Sequence, residues 1–171
     1  MIPIINLSND KKIYFASDFH LGTPSHAESL QREKLIVKWL DSIKKDAQAI
    51  VHAHSTCATA VSTHKRGIPS FHYMVAMAGG HDIKCAKYAT FGTRELSKNI
   101  LKALKGRKAC LISNHGQIAF EESLSKAFEL AQEVENISLQ YITSLKLGKP
   151  KILSINEMKK VLSKAKNYKR G

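Results

Sequence analysis

The chain has 171 residues, about the length of one ordinary domain, and its 43% hydrophobic and 24% charged residues call for a packed core rather than disorder. No apolar run approaches the roughly 18 residues of a membrane span, and the opening Met1-Ile2-Pro3-Ile4-Ile5-Asn6 lacks the basic start and long apolar stretch of a secretory signal. A net charge of +13 would permit nucleic-acid binding or capture of an anionic substrate. The basic residues are dispersed, however, with no interleaved aromatic platform, and read as solvated helix faces. Three widely spaced cysteines, Cys57, Cys85 and Cys110, make a poor disulfide framework and read as small buried hydrophobes. The expectation is a soluble cytoplasmic protein with neither a membrane nor a nucleic acid as partner.

In chain order, Lys12 to Ser17 reads as a strand that delivers Asp18-Phe19-His20-Leu21-Gly22 to a loop. Asp18 and His20 are an i, i+2 pair of one hard oxygen and one nitrogen, suited to a divalent metal. A turn aspartate beside a polar surface histidine is the equal alternative. Residues 27–45 carry Leu30, Ile36, Trp39, Leu40 and Ile43 near helical spacing. Asp46-Ala47-Gln48 then connects into a buried strand over 48–52, and a small-residue helix is expected from Thr56 to Thr63.

His52 and His54 close that strand. Side chains two apart on a strand share a face, so both imidazoles can reach one metal ion. A third ligand candidate, His115, follows a second apolar run, Ala109 to Ile112, and precedes Gly116. Three histidines with one open position are the pattern of a catalytic zinc site rather than a closed structural one. Further on, residues 93–105 read as a helix capped by Thr93, and residues 123–147 as a long helix with Leu124, Phe128, Ala131, Val134, Tyr141 and Leu145 as its apolar stripe. Gly148 and Pro150 end it, and Ser154 with Glu157 forms a capping box for a last helix to about Lys166.

Two resemblances overlay this reading. The stretch Ile13 to Gly22, continuing through Arg32-Glu33-Lys34 and Trp39 to Ile43, resembles the start of a calcineurin-like metallophosphoesterase of the UDP-2,3-diacylglucosamine hydrolase branch, over about residues 10–50. That resemblance implies Asp18 and His20 as ligands of a two-metal centre. The Gly-Asp and Gly-Asn-His motifs that would complete such a centre do not follow. From Ala47 on, the segments Ala47 to Ser55, Ile68 to Gly80, Cys85 to Ser97 and Gly106 to Gly116 are similar to the class II aldolase and adducin family, in its fuculose-phosphate aldolase branch. This second match is long and dense, covering about residues 46–170.

The aldolase resemblance implies His52, His54 and His115 as zinc ligands, with another divalent metal as the alternative. It implies Tyr73 as the residue that moves a proton at the aldehyde-derived oxygen, Phe91 as a wall of the aldehyde pocket, and Tyr168 in a tail that closes over the site. Glu33 stands 19 residues before His52, the spacing of the family's acid/base glutamate. Packing roles for Tyr73 and Phe91 and a frayed terminus for Tyr168 remain open. Nothing in residues 1–50 matches the family's phosphate-holding loops.

The expected fold is α/β: an incomplete three-layer α/β/α aldolase-like domain over 47–171, after a phosphoesterase-like strand and helix over 1–46. The leading expectation is a zinc-dependent lyase that cleaves a sugar phosphate of the fuculose-1-phosphate type to dihydroxyacetone phosphate and an aldehyde, impaired by the absent phosphate loops. A phosphoesterase fragment and a non-catalytic metal-binding remnant are the alternatives. The resemblance also implies a homotetramer.

Overall fold

The computed structural model describes residues 48–168 and, before them, the single positions 27, 30 and 34, all three helical as the 27–45 periodicity predicts. Asp18, His20 and Glu33 lie outside the described residues, as does the expected strand from Lys12 to Ser17.

Among the described residues four strands form one sheet. They are β1 (Ala49–Ala53), β2 (Cys85–Ala86), β3 (Ala109–Ile112) and β4 (Gly116–Glu121), in the order β1-β4-β3-β2. β1 and β3 each pair antiparallel with β4, whereas β2 runs parallel to β3. The sheet is buried on both faces, which is why Ala109-Cys110-Leu111-Ile112 is apolar throughout instead of alternating. Each such large aliphatic side chain removed from water contributes about 1.5–3 kcal/mol.

Alternation sorts the strand residues into two cores. Val51, Ala109, Leu111 and Ala119 face α1 (Thr56–Ser62), a 3-10 helix (Tyr73–Ala78), α3 (Leu124–Lys146) and α4 (Ile155–Tyr168). Ile50, Cys110, Ile112, Ile118 and Phe120 face α2 (Arg94–Leu104) through its Leu96, Ala103 and Leu104. The three-layer arrangement expected from the sequence is therefore present, helices covering both faces of a central sheet.

Helix ends follow the expected caps. Thr93 Oγ1 accepts the Leu96 N–H at 3.3 Å; at α3, for which no cap was read from the sequence, Ser123 Oγ accepts the Lys126 N–H at 3.3 Å. Ser154 Oγ accepts the Glu157 N–H at 3.1 Å, but the Glu157 carboxylate turns to Lys160 at 3.1 Å instead of closing the capping box. The apolar stripe of α3 needs a correction. Its buried positions are Ala127, Leu130, Ala131, Val134, Ile137, Ser138 and Tyr141, while Leu124, Phe128 and Leu145 are exposed. Ala127 and Ala131 are small, so the helix lies close on the sheet, and that contact selects a face rotated from the one with the bulkiest residues.

Candidate metal centre

β1 leaves the sheet at Ala53, and α1 starts three residues later. The β3–β4 turn, Ser113-Asn114-His115, comes up beside this exit because β1 pairs with β4 as His52↔Ile118 and Ala53↔Gln117. Three main-chain bonds from three elements hold the turn. His115 N–H donates to Ile112 O at 3.0 Å, Ser113 N–H to Ala86 O at 3.1 Å, and Asn114 N–H to Ser62 O at 3.3 Å. Asn114 takes φ of 54°, a left-handed conformation that asparagine tolerates better than most residues.

The turn brings His115 to the two strand-end histidines. The ring centroids lie 4.9 Å apart for His52 and His54, 5.0 Å for His52 and His115, and 4.7 Å for His54 and His115. One ligand nitrogen from each falls within 4.8 Å of the others. The trio is half-open to solvent, His54 being the exposed member. Nδ1 of His52 lies 2.7 Å from the main-chain oxygen of Gln117. A carbonyl oxygen can only accept, so Nδ1 carries a proton, and in the neutral tautomer that leaves the lone pair on Nε2, the nitrogen that faces His54.

This donor set fits a divalent ion. Nε2 of His52 and Nε2 of His54 are 3.1 Å apart. Two nitrogens each about 2.0–2.1 Å from one tetrahedral zinc lie about 3.3 Å apart. A carbonyl acceptor on the far nitrogen is the usual outer support of a metal-bound imidazole. Among the described residues this is the one group of three or more histidine, cysteine or acidic side chains with metal-holding geometry. Imidazole nitrogens suit zinc, copper, iron and nickel alike, so the arrangement alone does not choose among them.

Three supporting features were not read from the sequence. Gly116 lets β4 approach β1: a Cβ there would meet Ala53 O at 2.4 Å and the His54 ring at 3.0 Å. Gln117 stands just before the apolar Ile118-Ala119-Phe120 of β4. Its Nε2 donates to Ser55 Oγ at 2.7 Å and to Ala131 O at 3.0 Å. Glu135, from α3, accepts the Cys57 N–H at 2.7 Å and the Ala58 N–H at 2.8 Å, capping α1 where its own Ser55 makes no side-chain cap. Burial works to raise the Glu135 carboxyl, but these two amides and the Ser55 and Cys57 side chains outweigh it and hold the group below its usual range.

The other candidates lie on other elements of the chain. Tyr73 opens the 3-10 helix, is 53% exposed, and has its ring contact with His72 at 4.7 Å. Phe91 is 61% exposed in the turn before α2. Tyr168 is the last residue of α4, a helix that reaches two residues past its expected end. Cys110 is fully buried, which pushes its thiol well above the usual range. Cys85 is only partly buried and lies 3.3 Å from Ser113 Oγ. Among the described residues no helix is long and apolar enough to cross a membrane.

Comparison with known proteins gives a concordant picture. The profile of the Class II Aldolase and Adducin N-terminal domain matches residues 8–142. L-fuculose phosphate aldolase of Escherichia coli K12 is 52% identical over 126 residues, which is 73% of this chain and 59% of that enzyme. The 5-methylthioribulose-1-phosphate/5-deoxyribulose-1-phosphate aldolase of Rhodospirillum rubrum is 50% identical over 125 residues, 73% of this chain and 57% of that one. A solved L-fuculose 1-phosphate aldolase superposes with a TM-score of 0.72 at 38% identity, covering 79% of this chain and 63% of that chain. The chain thus spans 57–59% of the length of these curated relatives. The profile match opens at residue 8 and so takes in the phosphoesterase-like stretch, and none of these findings supports a phosphoesterase reading of it.

Proposed function

The chain belongs to the class II aldolase and adducin family, and from that premise we propose that it is a metal-dependent lyase splitting a ketose 1-phosphate into dihydroxyacetone phosphate and an aldehyde. The observation that carries this reading is the convergence of His52, His54 and His115 on one point. The relatives named for L-fuculose phosphate and for 5-methylthioribulose 1-phosphate or 5-deoxyribulose 1-phosphate share one substrate class.

In this reading His52, His54 and His115 hold the ion, with zinc the first choice for an all-imidazole set. The ion, when bound, supplies Lewis-acid stabilisation of the negative charge that builds on substrate oxygens as the C–C bond breaks. The Gln117 carbonyl keeps His52 in the ligating tautomer. Tyr73 moves the proton at the aldehyde-derived oxygen, and Glu33 acts as general acid/base. Tyr73 is exposed, with its ring against His72, and the homotetramer implied by the resemblance belongs to the same reading. Phe91 and Tyr168 are assigned to substrate enclosure, Asp18 and His20 to no role in the reaction. The aldolase-like portion is taken as 47–171, after a distinct opening over 1–46.

The test is metal stoichiometry and aldol cleavage on the full chain, beside His115→Ala. The reading predicts about one divalent ion per chain, lost in the variant together with cleavage of one of these ketose 1-phosphates. An ion held by the trio without cleavage would leave a binding protein of aldolase fold. An ion unaffected by His115→Ala would remove the reading altogether.

A further inference from the structure

Gln117 has a position unlike any other residue near the trio. It pairs with Ala53, the residue between His52 and His54. Its main-chain oxygen accepts from His52 Nδ1 at 2.7 Å on one face of the sheet. Its side chain points to the opposite face, is 1% exposed, and bridges Ser55 Oγ at 2.7 Å to Ala131 O at 3.0 Å. Ser55 follows His54 directly. One residue therefore holds the ring of the first histidine through its main chain and the backbone beyond the second through its side chain.

A purely structural role accounts poorly for this choice. Gln117 Oε1 is buried with no hydrogen-bond partner. A buried acceptor left unsatisfied destabilises the fold. A glutamine that stabilised only the sheet–helix contact would be out-competed by an apolar side chain of equal volume. What the amide alone supplies is the Nε2 bond to Ser55, and that bond fixes where the chain turns from His54 into α1. Glu135 holds the same turn from the other side, through Cys57 and Ala58.

We propose that Gln117 is a positioning residue for the metal centre: its carboxamide, through Ser55 and from behind the sheet, sets the placement of His54 against His52. This rests on the reading of the trio as a metal site. It predicts a specific separation of properties. Removing the amide while keeping volume should weaken metal binding without weakening the fold, because the lost unsatisfied oxygen compensates the lost bonds.

The experiment is zinc affinity by chelator competition, with the visible spectrum of the cobalt form, on wild type, Gln117→Met, Ser55→Ala and the double variant. Each sample is accompanied by the thermal midpoint of its metal-free form. Outer-support losses typically weaken metal binding about 10–100-fold. We expect about tenfold or more for Gln117→Met, a shift in the cobalt bands, a metal-free midpoint near wild type, and a double variant no weaker than the worse single one. Wild-type affinity and spectrum in Gln117→Met would overturn the proposal while leaving the metal site standing. So would an affinity loss matched by an equal fall in the metal-free midpoint. Failure of wild type itself to bind zinc or cobalt would overturn both this inference and the metal reading beneath it.

Discussion

Substituting Gly116 by alanine tests the site's architecture most directly. The added Cβ would lie 2.4 Å from Ala53 O, 3.2 Å from Ala53 C and 3.0 Å from Cδ2 of His54. Ordinary contact begins at 3.4 Å, so the main chains must separate by 3.4 − 2.4 = 1.0 Å at the pair that carries the ligands. The obstacle is the paired backbone of β1, which cannot swing aside as a flexible side chain could. Forcing one methyl into such a contact costs about 1–3 kcal/mol, and in a chain of this size each kcal/mol lowers the thermal midpoint about 2–4 °C. Metal ligands tolerate displacements of only about 0.2 Å. A shift five times larger at Ala53 must misplace His52 and His54 on either side of it. With tenfold in affinity for every 1.4 kcal/mol or so, zinc binding by Gly116→Ala should fall at least about tenfold in chelator competition. Gly106→Ala is the control. It has φ of +68° but open space around it, so it should lower stability through backbone strain alone and leave zinc affinity unchanged. If Gly116→Ala bound zinc as tightly as wild type, the close approach of β4 to β1 would not be what sets the ligand spacing.

Two further predictions concern the cap and the proton. Glu135→Gln should cost about 0.5–2 kcal/mol at neutral pH, the worth of a helix N-cap, read as a lower thermal midpoint. The folded carboxyl titrates below its usual 4.5, so its contribution is complete above that pH and disappears as pH falls through the lower folded value. The gap between wild type and variant should therefore close under acid, and a gap that widened would show that the carboxylate is not the stabilising form. Tyr73→Phe should bind zinc like wild type yet lose about 10²–10⁴-fold in cleavage, the usual worth of a positioned acid or base. Undiminished cleavage would remove Tyr73 from the reaction, and lost zinc would show that its hydroxyl supports the trio after all.

Much of the scaffold was legible because it rests on local rules. Thr93 and Ser154 mark helix starts by chemistry available to any reader of the chain, and both accept the expected amide. The run from Ala109 to Ile112 is a strand buried on both faces, as its unbroken apolarity requires. β4 was missed. Gly116-Gln117-Ile118-Ala119-Phe120-Glu121 begins with a glycine and a glutamine, residues that weaken a strand reading, and both are there for the sheet's tertiary neighbours rather than for strand propensity. The misread stripe of α3 has a related cause. Periodicity weighted by size selects Leu124 and Phe128, whereas the sheet selects the alanines that let the helix come close.

The same division runs through the site. His52, His54 and His115 could be picked out in advance because a ligand must be a particular residue type and a strand puts every second side chain on one face. Only the pairing of β1 with β4, which sets His115 beside residues about sixty positions earlier in the chain, makes them a site. The residues that hold the trio in register have no such signature. A glycine tells of close approach only once the opposing carbonyl is known. A buried glutamine tells of a bridge only once Ser55 and Ala131 stand on either side of it. Glu135 would read in isolation as one more charge on a helix, yet it caps the helix that begins two residues after His54. Metal chemistry is thus written into residue identity, and metal geometry into pairing. Substitutions at Gly116 and Gln117 are the discriminating ones for that reason: they leave every ligand in place and change only where it stands.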